Sequence, residues 1–240
     1  MRSLILAPGD DEASLEAALT SGADAVVVDL AVAPPARAAA RAQAARLLKE
    51  TRGRDGGPTF LVRVNPLGDG ETDLDLDAVM PGAPVAIVLP RVLGAPSIQQ
   101  LSVKLAVREA RLDLEDGATR IVAVADAAEG VLRLPACAGA SARLVGIAWD
   151  AEALRHDAGA QACGHSSGGY VGPLRLARDM TVLAAAAAGV AAIDTALHGG
   201  GEVFRREAFA ARRDGFKARF VVDAEQATIV NKVFGAAPNE

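Results

Sequence analysis

The stretch from residue 119 to residue 131 reads Thr119-Arg120-Ile121-Val122-Ala123-Val124-Ala125-Asp126-Ala127-Ala128-Glu129-Gly130-Val131. An apolar run ends abruptly in an acid, and small residues and the start of a helical pattern follow it. This order is typical of a buried parallel strand that leads into its crossover helix. Barrel enzymes place their catalytic groups at the carboxyl ends of such strands, so Asp126 is predicted to mark the mouth of an active site.

The same strand-to-helix unit repeats on both sides of this stretch. Its spacing of roughly 25–30 residues predicts a TIM (β/α)8 barrel, a fold of ~250 residues, as a single domain over residues 1–240. The alternative is an open doubly wound sheet, but no GxGxxG motif follows the first strand. The predicted strands are Ser3–Ala7, Ala23–Leu30, Thr59–Val64, Val85–Leu89, Arg120–Ala125, Arg143–Trp149, Ala191–Thr195 and Lys217–Val222.

The composition limits the cellular compartments and the binding partners that we expect for the chain. Its 240 residues are 51% hydrophobic and only 3% aromatic, and the net charge is −5. Acids and bases are interleaved without a basic stripe, which argues against nucleic-acid binding. The most apolar later run, Val182–Ile193, is far shorter than the ~20 residues of a membrane span. The two cysteines form no CxxC pair, so we expect a cytoplasmic protein without a membrane partner.

Polar residues fall at the predicted carboxyl ends of several strands. Because a buried strand tolerates few of them inside, we expect each to emerge at the rim of the barrel. An acid there can also simply cap the next helix, but so many on one rim favour a binding site. These residues are Asp29, Arg63, Asn65, Arg91, Asp126, Asp150 and Asp194.

Arg63 is the best individual candidate for ligand binding. It lies in Phe60-Leu61-Val62-Arg63-Val64-Asn65-Pro66, an otherwise apolar strand. A guanidinium at a barrel mouth suits a carboxylate or a phosphate, because its fork pairs with two oxygens at once. The alternative is an internal ion pair with a rim acid such as Asp29.

Two acids on neighbouring strand ends suggest a site for a divalent cation. Asp126, together with Glu152 or Asp150, could hold Mg²⁺, which often takes only one or two protein carboxylates plus water and substrate. Such an ion would polarise a carbonyl and stabilise an enolate. The three histidines, His156, His165 and His198, share no metal-ligand spacing.

Taken in order, several segments of the chain resemble the HpcH/HpaI aldolase and citrate lyase β-subunit family, from Arg2 to Phe234. Each motif alone is modest, but their order along the chain is fairly specific. The matching segments are Arg2-Ser3-Leu4-Ile5-Leu6-Ala7-Pro8-Gly9, Ser21–Leu30, Val62-Arg63-Val64-Asn65, Leu89-Pro90-Arg91-Val92 (Leu-Pro-Lys-Val in the family), Gly172–Arg178, Ala192-Ile193-Asp194 and Ile229-Val230-Asn231 with Phe234.

The resemblance implies a TIM barrel that forms a homo-oligomer, with a trimer favoured. It implies cleavage or formation of a carbon–carbon bond beside a carbonyl in a small carboxylic acid or its CoA thioester, with Mg²⁺ held by a Glu and an Asp. Arg63 would bind a substrate carboxylate. A metal and a cation would then stabilise the enolate that forms.

Several family positions carry different residues here. The family's metal-binding Glu corresponds to Asp126, one methylene shorter, and its metal-binding Asp corresponds to Ala153 in Asp150-Ala151-Glu152-Ala153-Leu154. Only Asp150 or Glu152 could compensate for Ala153. Two acids after the second strand are replaced by Ala31 and Val32, and the C-terminal His-Pro is replaced within the segment 222–226.

Three functions remain open from the sequence. The favoured one is a cytosolic lyase in which Arg63 anchors a carboxylate and Asp126 holds Mg²⁺ with Glu152 or water. The second is a barrel that has lost lysis and acts as a ligand-binding or regulatory protein. The third is a different, metal-free enzyme that uses Arg63, Asp29 and Arg91 directly. The fold alone does not choose among them.

Overall fold

Eight parallel strands close into a barrel in the computed structural model, which describes residues 1–52, 57–164, 169–196 and 199–235. Each strand pairs with the next in sequence, and β8 pairs with β1. The predicted TIM barrel is confirmed, and the open sheet is excluded. The strands are β1 (Ser3–Pro8), β2 (Ala25–Asp29), β3 (Thr59–Arg63), β4 (Ala86–Leu89), β5 (Arg120–Ala125), β6 (Leu144–Trp149), β7 (Ala191–Asp194) and β8 (Ala218–Val221).

Helices alternate with the strands and cover the outside of the barrel. Among the described helices, none combines the length and the apolar character needed to cross a membrane. The helices are α1 (Glu12–Thr20), α2 (Arg37–Thr51), α3 (Thr72–Val79), α4 (Ala95–Arg111), α5 (Ala128–Arg133), α6 (Ala151–Asp157), α7 (Gly172–Ala188), α8 (Gly201–Asp214) and α9 (Ala224–Gly235).

Local features of the chain set the bounds of two short helices near the carboxyl ends of β5 and β6. Helix α5 ends at Arg133 and continues as a 3-10 turn over Leu134–Cys137, because Pro135 cannot donate the next α-helical hydrogen bond. The first turn of α6 forms because the Asp150 carboxylate accepts hydrogen bonds from the N–H groups of Glu152 and Ala153.

The apolar residues form one layer inside the barrel and another between the strands and the helices. Side chains of a strand alternate between its two faces. Val122 and Val124 of β5 therefore point into the barrel with Ala218 and Phe220 of β8, while their sequence neighbours face the helices. This alternation decides which residues at the strand ends reach the mouth.

Candidate active site

The alternation of the strands brings four polar positions to the barrel mouth. Asp29, Arg63, Asp126 and Asp150 each follow an inward-facing core residue by two positions, and Thr195 does the same at the end of β7. The cavity at the mouth is lined by Arg63, Asp150 and Thr195 and by apolar side chains from the other strands. Its volume is only about 20 Å³, room for about one water molecule.

Arg63 and Asp29 form a loose ion pair at the ends of β3 and β2. The Arg63 Nε atom lies 3.5 Å from Asp29 Oδ1 and, although buried, donates to no described residue. Asp29 Oδ1 instead accepts from the N–H of Ala31 at 2.9 Å. Burial raises the pKa of Asp29, although the charge of Arg63 opposes this effect. The guanidinium therefore keeps hydrogen-bonding capacity that the protein does not use.

Asp126 lies at the end of β5 and is only 7% exposed. Its Oδ1 atom accepts the backbone N–H of Arg91 at 2.8 Å, and this is its one hydrogen bond with the described residues. Burial raises the pKa of Asp126 to about 6, and the charge of Asp150 adds to the rise, whereas Arg91 and Arg63 oppose it. Ionised Asp126 is thus a buried anion with one free oxygen.

Asp150 is the second acid of this part of the mouth. The residues that precede the two acids, Ala125 and Trp149, are partners in the β5–β6 register, and the Asp150 N–H donates to the Ala125 carbonyl at 3.2 Å. The Asp150 Oδ1 atom caps α6. Asp126 and Asp150 thus end adjacent strands, close enough for the charge of one to affect the titration of the other.

Arg91 contacts Asp126 through its backbone N–H rather than through its side chain. It lies just after β4 with a left-handed φ of 49°, a conformation that non-glycine residues rarely adopt. Its side chain is half exposed and lies 3.8 Å from Asp157. Gly130 supports the turn, because a Cβ there would come within 2.4 Å of the Val92 carbonyl oxygen.

Glu152 does not join the group at the mouth. Its side chain is 62% exposed and accepts hydrogen bonds from Arg155 at 2.6 Å and from Cys163 at 3.1 Å. The hydrogen bond from Arg155 is the main cause that lowers the pKa of Glu152 to about 2. As a helix residue on α6, it does not follow the strand alternation that brings Asp150 to the mouth.

Two other residues expected at the rim serve different parts of the fold. Asp194 precedes inward-facing Thr195, so it faces the helices, where it is 2% exposed and accepts the Trp149 indole N–H at 2.8 Å. Asn65 is fully buried and bonds to Asp75 at 2.8 Å, which fixes the chain after β3. The expectation that every polar strand end reaches the rim is therefore wrong for these two residues.

The mouth fits a magnesium ion better through Asp150 than through Glu152. Asp126 is a buried carboxylate with a raised pKa beside a second carboxylate, an arrangement that a bound cation would relieve. Two carboxylates with water and substrate satisfy the usual demand of Mg²⁺. Within the described residues, no three His, Cys, Asp or Glu side chains cluster as a metal site. His165 and His198 lie outside those residues.

Comparison with known proteins places this geometry in a family. The family model of HpcH/HpaI aldolase/citrate lyase matches residues 2–224. The chain belongs to the HpcH/HpaI aldolase/citrate lyase family.

Relatives within the HpcH/HpaI family have names that point to two related reactions. The chain is similar to citrate lyase subunit beta of Leuconostoc mesenteroides, at 29% identity over 100% of this chain and 78% of that protein. It is also similar to a (3S)-malyl-CoA thioesterase of Cereibacter sphaeroides, at 30% identity over 100% of this chain and 79% of the relative.

A solved structure from the HpcH/HpaI family supports the same framework. The citrate lyase beta subunit from Mycobacterium tuberculosis, complexed with oxaloacetate and magnesium, matches with a TM-score of 0.79 at 26% identity, over 98% of this chain and 96% of that one. Family members thus include a magnesium-bound citrate lyase subunit with the same barrel.

Proposed function

We propose that this protein is a carbon–carbon lyase that cleaves, or in reverse forms, a bond beside a carbonyl in a small carboxylic acid or its CoA thioester. The observation that carries the proposal is the buried Arg63 Nε, which has no hydrogen-bond acceptor among the described residues and lies at the mouth. A carboxylate substrate would supply that acceptor.

Arg63 would bind and orient the substrate. A carboxylate can take two parallel N–H···O bonds from a guanidinium, which sets both its position and its plane. Asp29, whose pKa is raised by burial, would hold the guanidinium from the side that faces β2. Arg91 would add positive charge near the reacting end, although its side chain is half exposed.

Cleavage breaks the bond between the carbon beside the carbonyl and a carbon that bears a hydroxyl group. The electron pair stays on the first carbon and creates an enolate, which then takes up a proton, and the hydroxyl group loses its proton as it becomes the carbonyl of the second product. Asp126 and Asp150 would hold Mg²⁺, and the ion when bound supplies a Lewis acid for the enolate oxygen. The pKa of about 6 for Asp126 belongs to the metal-free site, and a bound cation would keep this carboxylate ionised. Glu152 could become a ligand only if its bonds to Arg155 and Cys163 were released.

The small volume of the cavity at the mouth favours a second function. A cavity of about 20 Å³ is far smaller than the ~300 Å³ or more of typical ligand pockets. Ala153 also occupies the position that the family resemblance assigns to a metal ligand. A barrel that has lost lysis, and that acts by binding or regulation, would tolerate both features.

Product analysis tests the lyase proposal. Citramalyl-, malyl- and citryl-CoA would be incubated with the protein and Mg²⁺, and the products separated by liquid chromatography and mass spectrometry. A lyase yields a shorter acyl-CoA and a carbonyl acid, whereas a thioesterase yields free CoA and the intact acid. Arg63→Ala should lower kcat/KM about a hundredfold, and Arg111→Ala, at an exposed site on α4, should leave it unchanged.

Calorimetry with Mg²⁺ tests the metal site separately. We expect binding in the micromolar to low millimolar range that Asp126→Ala and Asp150→Ala abolish and Glu152→Ala leaves intact. If only Glu152→Ala removes binding, the ion is held differently. No binding at several millimolar, together with no product from any thioester, would favour the second function or a metal-free enzyme that uses Arg63, Asp29 and Arg91 directly.

The remaining expectations concern assembly and location. We expect a cytosolic homo-oligomer, with a trimer favoured by the family resemblance. Light scattering after gel filtration measures the mass directly against the 24.5 kDa of one chain. A monomer at micromolar concentration would contradict the expectation.

A further inference from the structure

Arg219 is a buried charge on the outer face of the barrel, away from the mouth. It lies in β8 between inward-facing Ala218 and Phe220, so its side chain points toward α7 and α8. The residue is 1% exposed, yet Nε, Nη1 and Nη2 make no hydrogen bond with any described residue. Buried guanidinium groups are normally hydrogen-bonded, because an unmet charged donor costs several kcal/mol.

The nearby carboxylates do not satisfy these donors. Asp194 Oδ2 and Glu207 Oε2 each lie 3.6 Å from a terminal nitrogen of Arg219, beyond normal hydrogen-bond distance. Asp194 Oδ1 is already bonded to Trp149. The guanidinium also lies over the ring of Phe204, 4.7 Å from its centroid, which holds its plane in place.

This guanidinium lines a cavity between α7 and α8, the α7–α8 cavity, with a volume of about 400 Å³. That volume is within the range of small-molecule pockets. Four arginines and three acids contribute to its wall, so the lining carries an excess of one positive charge. These residues are Arg175, Arg178, Arg206, Arg219, Asp194, Glu207 and Asp214.

The acids of the α7–α8 cavity lie beside Arg178 and Arg219. Asp214 accepts from Arg178 at 2.7 Å, and Asp194 and Glu207 face Arg219. Arg175 and Arg206 are exposed at the opening and form no ion pair with any described residue. Positive charge is therefore available at two places, on Arg175 and Arg206 at the opening and on Arg219 at the buried end.

We propose that the α7–α8 cavity binds a small organic oxyanion, a phosphate or a carboxylate. Its charged group would accept hydrogen bonds from Arg219 and from Arg175 or Arg206, which match two oxygens of one oxyanion. Val203, Ala210 and the ring of Tyr170 form walls for an apolar body. This site is separate from the mouth and does not depend on the lyase reaction.

The sole tryptophan reports on the site. Trp149 donates to Asp194 at 2.8 Å, and Asp194 faces Arg219. An anion that draws Arg219 away from Asp194 therefore changes the environment of the indole. We would titrate sodium phosphate, pyrophosphate and malonate at constant ionic strength, with sodium chloride as the reference, and follow Trp149 fluorescence.

The variants are chosen so that the fold is left intact. Arg175→Ala and Arg206→Ala remove exposed side chains at the opening, and Arg111→Ala is a matched exposed arginine on α4. All titrations are repeated in an Arg63→Ala background, which removes anion binding at the mouth. Thermal melts confirm that each variant is folded.

We expect a saturable signal with at least one anion, unchanged by Arg63→Ala and by Arg111→Ala. Arg175→Ala or Arg206→Ala, whichever removes the arginine that binds the anion, should raise the Kd about tenfold, as expected for the loss of one charge-assisted bond. Stronger binding of phosphate and pyrophosphate than of malonate would identify a phosphate ligand, and the reverse order a carboxylate.

Three results would overturn the proposal. The first is a response that never saturates or that chloride reproduces, in which case only water meets the donors of Arg219. The second is a signal that Arg63→Ala abolishes, which would assign the anion to the mouth. The third is dissociation of an oligomer by Arg206→Ala, measured by light scattering, which would show that an acid of a second copy occupies the cavity.

Discussion

Buried charged side chains have many hydrogen-bond partners at the amino end of the barrel and few at the carboxyl end. At the amino end, before β5 and β6, Arg143 donates to Glu109 at 2.8 Å and to the Thr119 carbonyl at 3.1 Å, and it also pairs with Asp116. Glu109 accepts two backbone N–H groups besides. At the carboxyl end, within the part of the chain that the structure describes, Arg63 Nε has no acceptor and Asp126 accepts one hydrogen bond.

This contrast separates charges that are hydrogen-bonded within the fold from charges that keep unused hydrogen-bonding capacity. Burial alone would raise the pKa of Glu109, but hydrogen bonds from Arg143 and from the Thr119 and Gly117 N–H groups lower it on balance. Asp126 has too few donors for this, so its pKa is raised to about 6. In barrel enzymes the amino end serves stability and the carboxyl end serves chemistry.

The largest effect is expected at the amino end. Glu109→Ala leaves the guanidinium of Arg143, 6% exposed, without its main partner, and removal of one member of a buried pair costs about 3–5 kcal/mol. Urea unfolding measures the loss. A change below about 1 kcal/mol in the free energy of unfolding would show that Asp116 alone satisfies Arg143. The difference between the two ends of the barrel would then be smaller than described.

Arg63→Ala, at the mouth, should lower activity strongly and stability only slightly. We expect kcat/KM to fall about a hundredfold, about 3 kcal/mol of lost substrate binding, with KM affected most. Stability should change by less than about 1 kcal/mol, because the pair with Asp29 is loose. Arg63→Lys should recover only part of the activity, since a lysine cannot form the two-pronged contact. Strong destabilisation instead would make Arg63 a structural residue.

Asp126→Asn should stabilise the protein at alkaline pH. The folded pKa of about 6 lies above the ~3.9 of an unfolded Asp. The folded state therefore binds more protons between about pH 4 and 6, and wild-type stability falls as the pH rises through that window. The uncharged amide avoids this loss, so the variant should gain about 3 kcal/mol at pH 8 and almost nothing at pH 4.

Urea midpoints at both pH values, measured with a chelator present, check this difference. Addition of Mg²⁺ at pH 8 should stabilise only the wild type, because the amide is a poor ligand. A variant that is less stable than wild type at pH 8 would mean that ionised Asp126 has partners that satisfy it.

The smallest effect is expected from Arg91→Ala. The backbone N–H to Asp126 remains, so stability should change by less than about 0.5 kcal/mol. Loss of the positive charge should move the titration of Asp126 slightly upward, because that charge lowers the pKa of Asp126. The pH dependence of the wild-type and variant urea midpoints measures the shift, and a large loss of substrate binding would instead give the side chain a direct role.

The sequence pattern was sufficient for the barrel and for the strand ends that carry Arg63 and Asp126. It also indicated Asp29 as an ion-pair partner of Arg63, because an acid lies at the end of one strand and a base at the end of the next. The apolar strands alternate so regularly with helical patterns that the repeat decides the topology. A strict count of every second residue from the inward-facing core would have placed Asp194 on the outer face as well.

Other features depend on contacts that no local pattern encodes. Glu152 precedes Arg155 by one helical turn, and their pairing directs the acid away from the mouth. The bond from the Arg91 N–H to Asp126 requires a left-handed backbone at a residue that the sequence gives no reason to expect there. The unmet donors of Arg219 arise from the spacing of α7 and α8, which only the three-dimensional packing determines.

The hydrogen bond between the main chain of residue 91 and the carboxylate of Asp126 also affects which side chains position 91 can accept. Because the donor belongs to the peptide group, the side chain at position 91 can be exchanged without releasing the acid. Only proline would abolish the bond. The charge at position 91 can thus change while the hydrogen bond that orients Asp126 is kept.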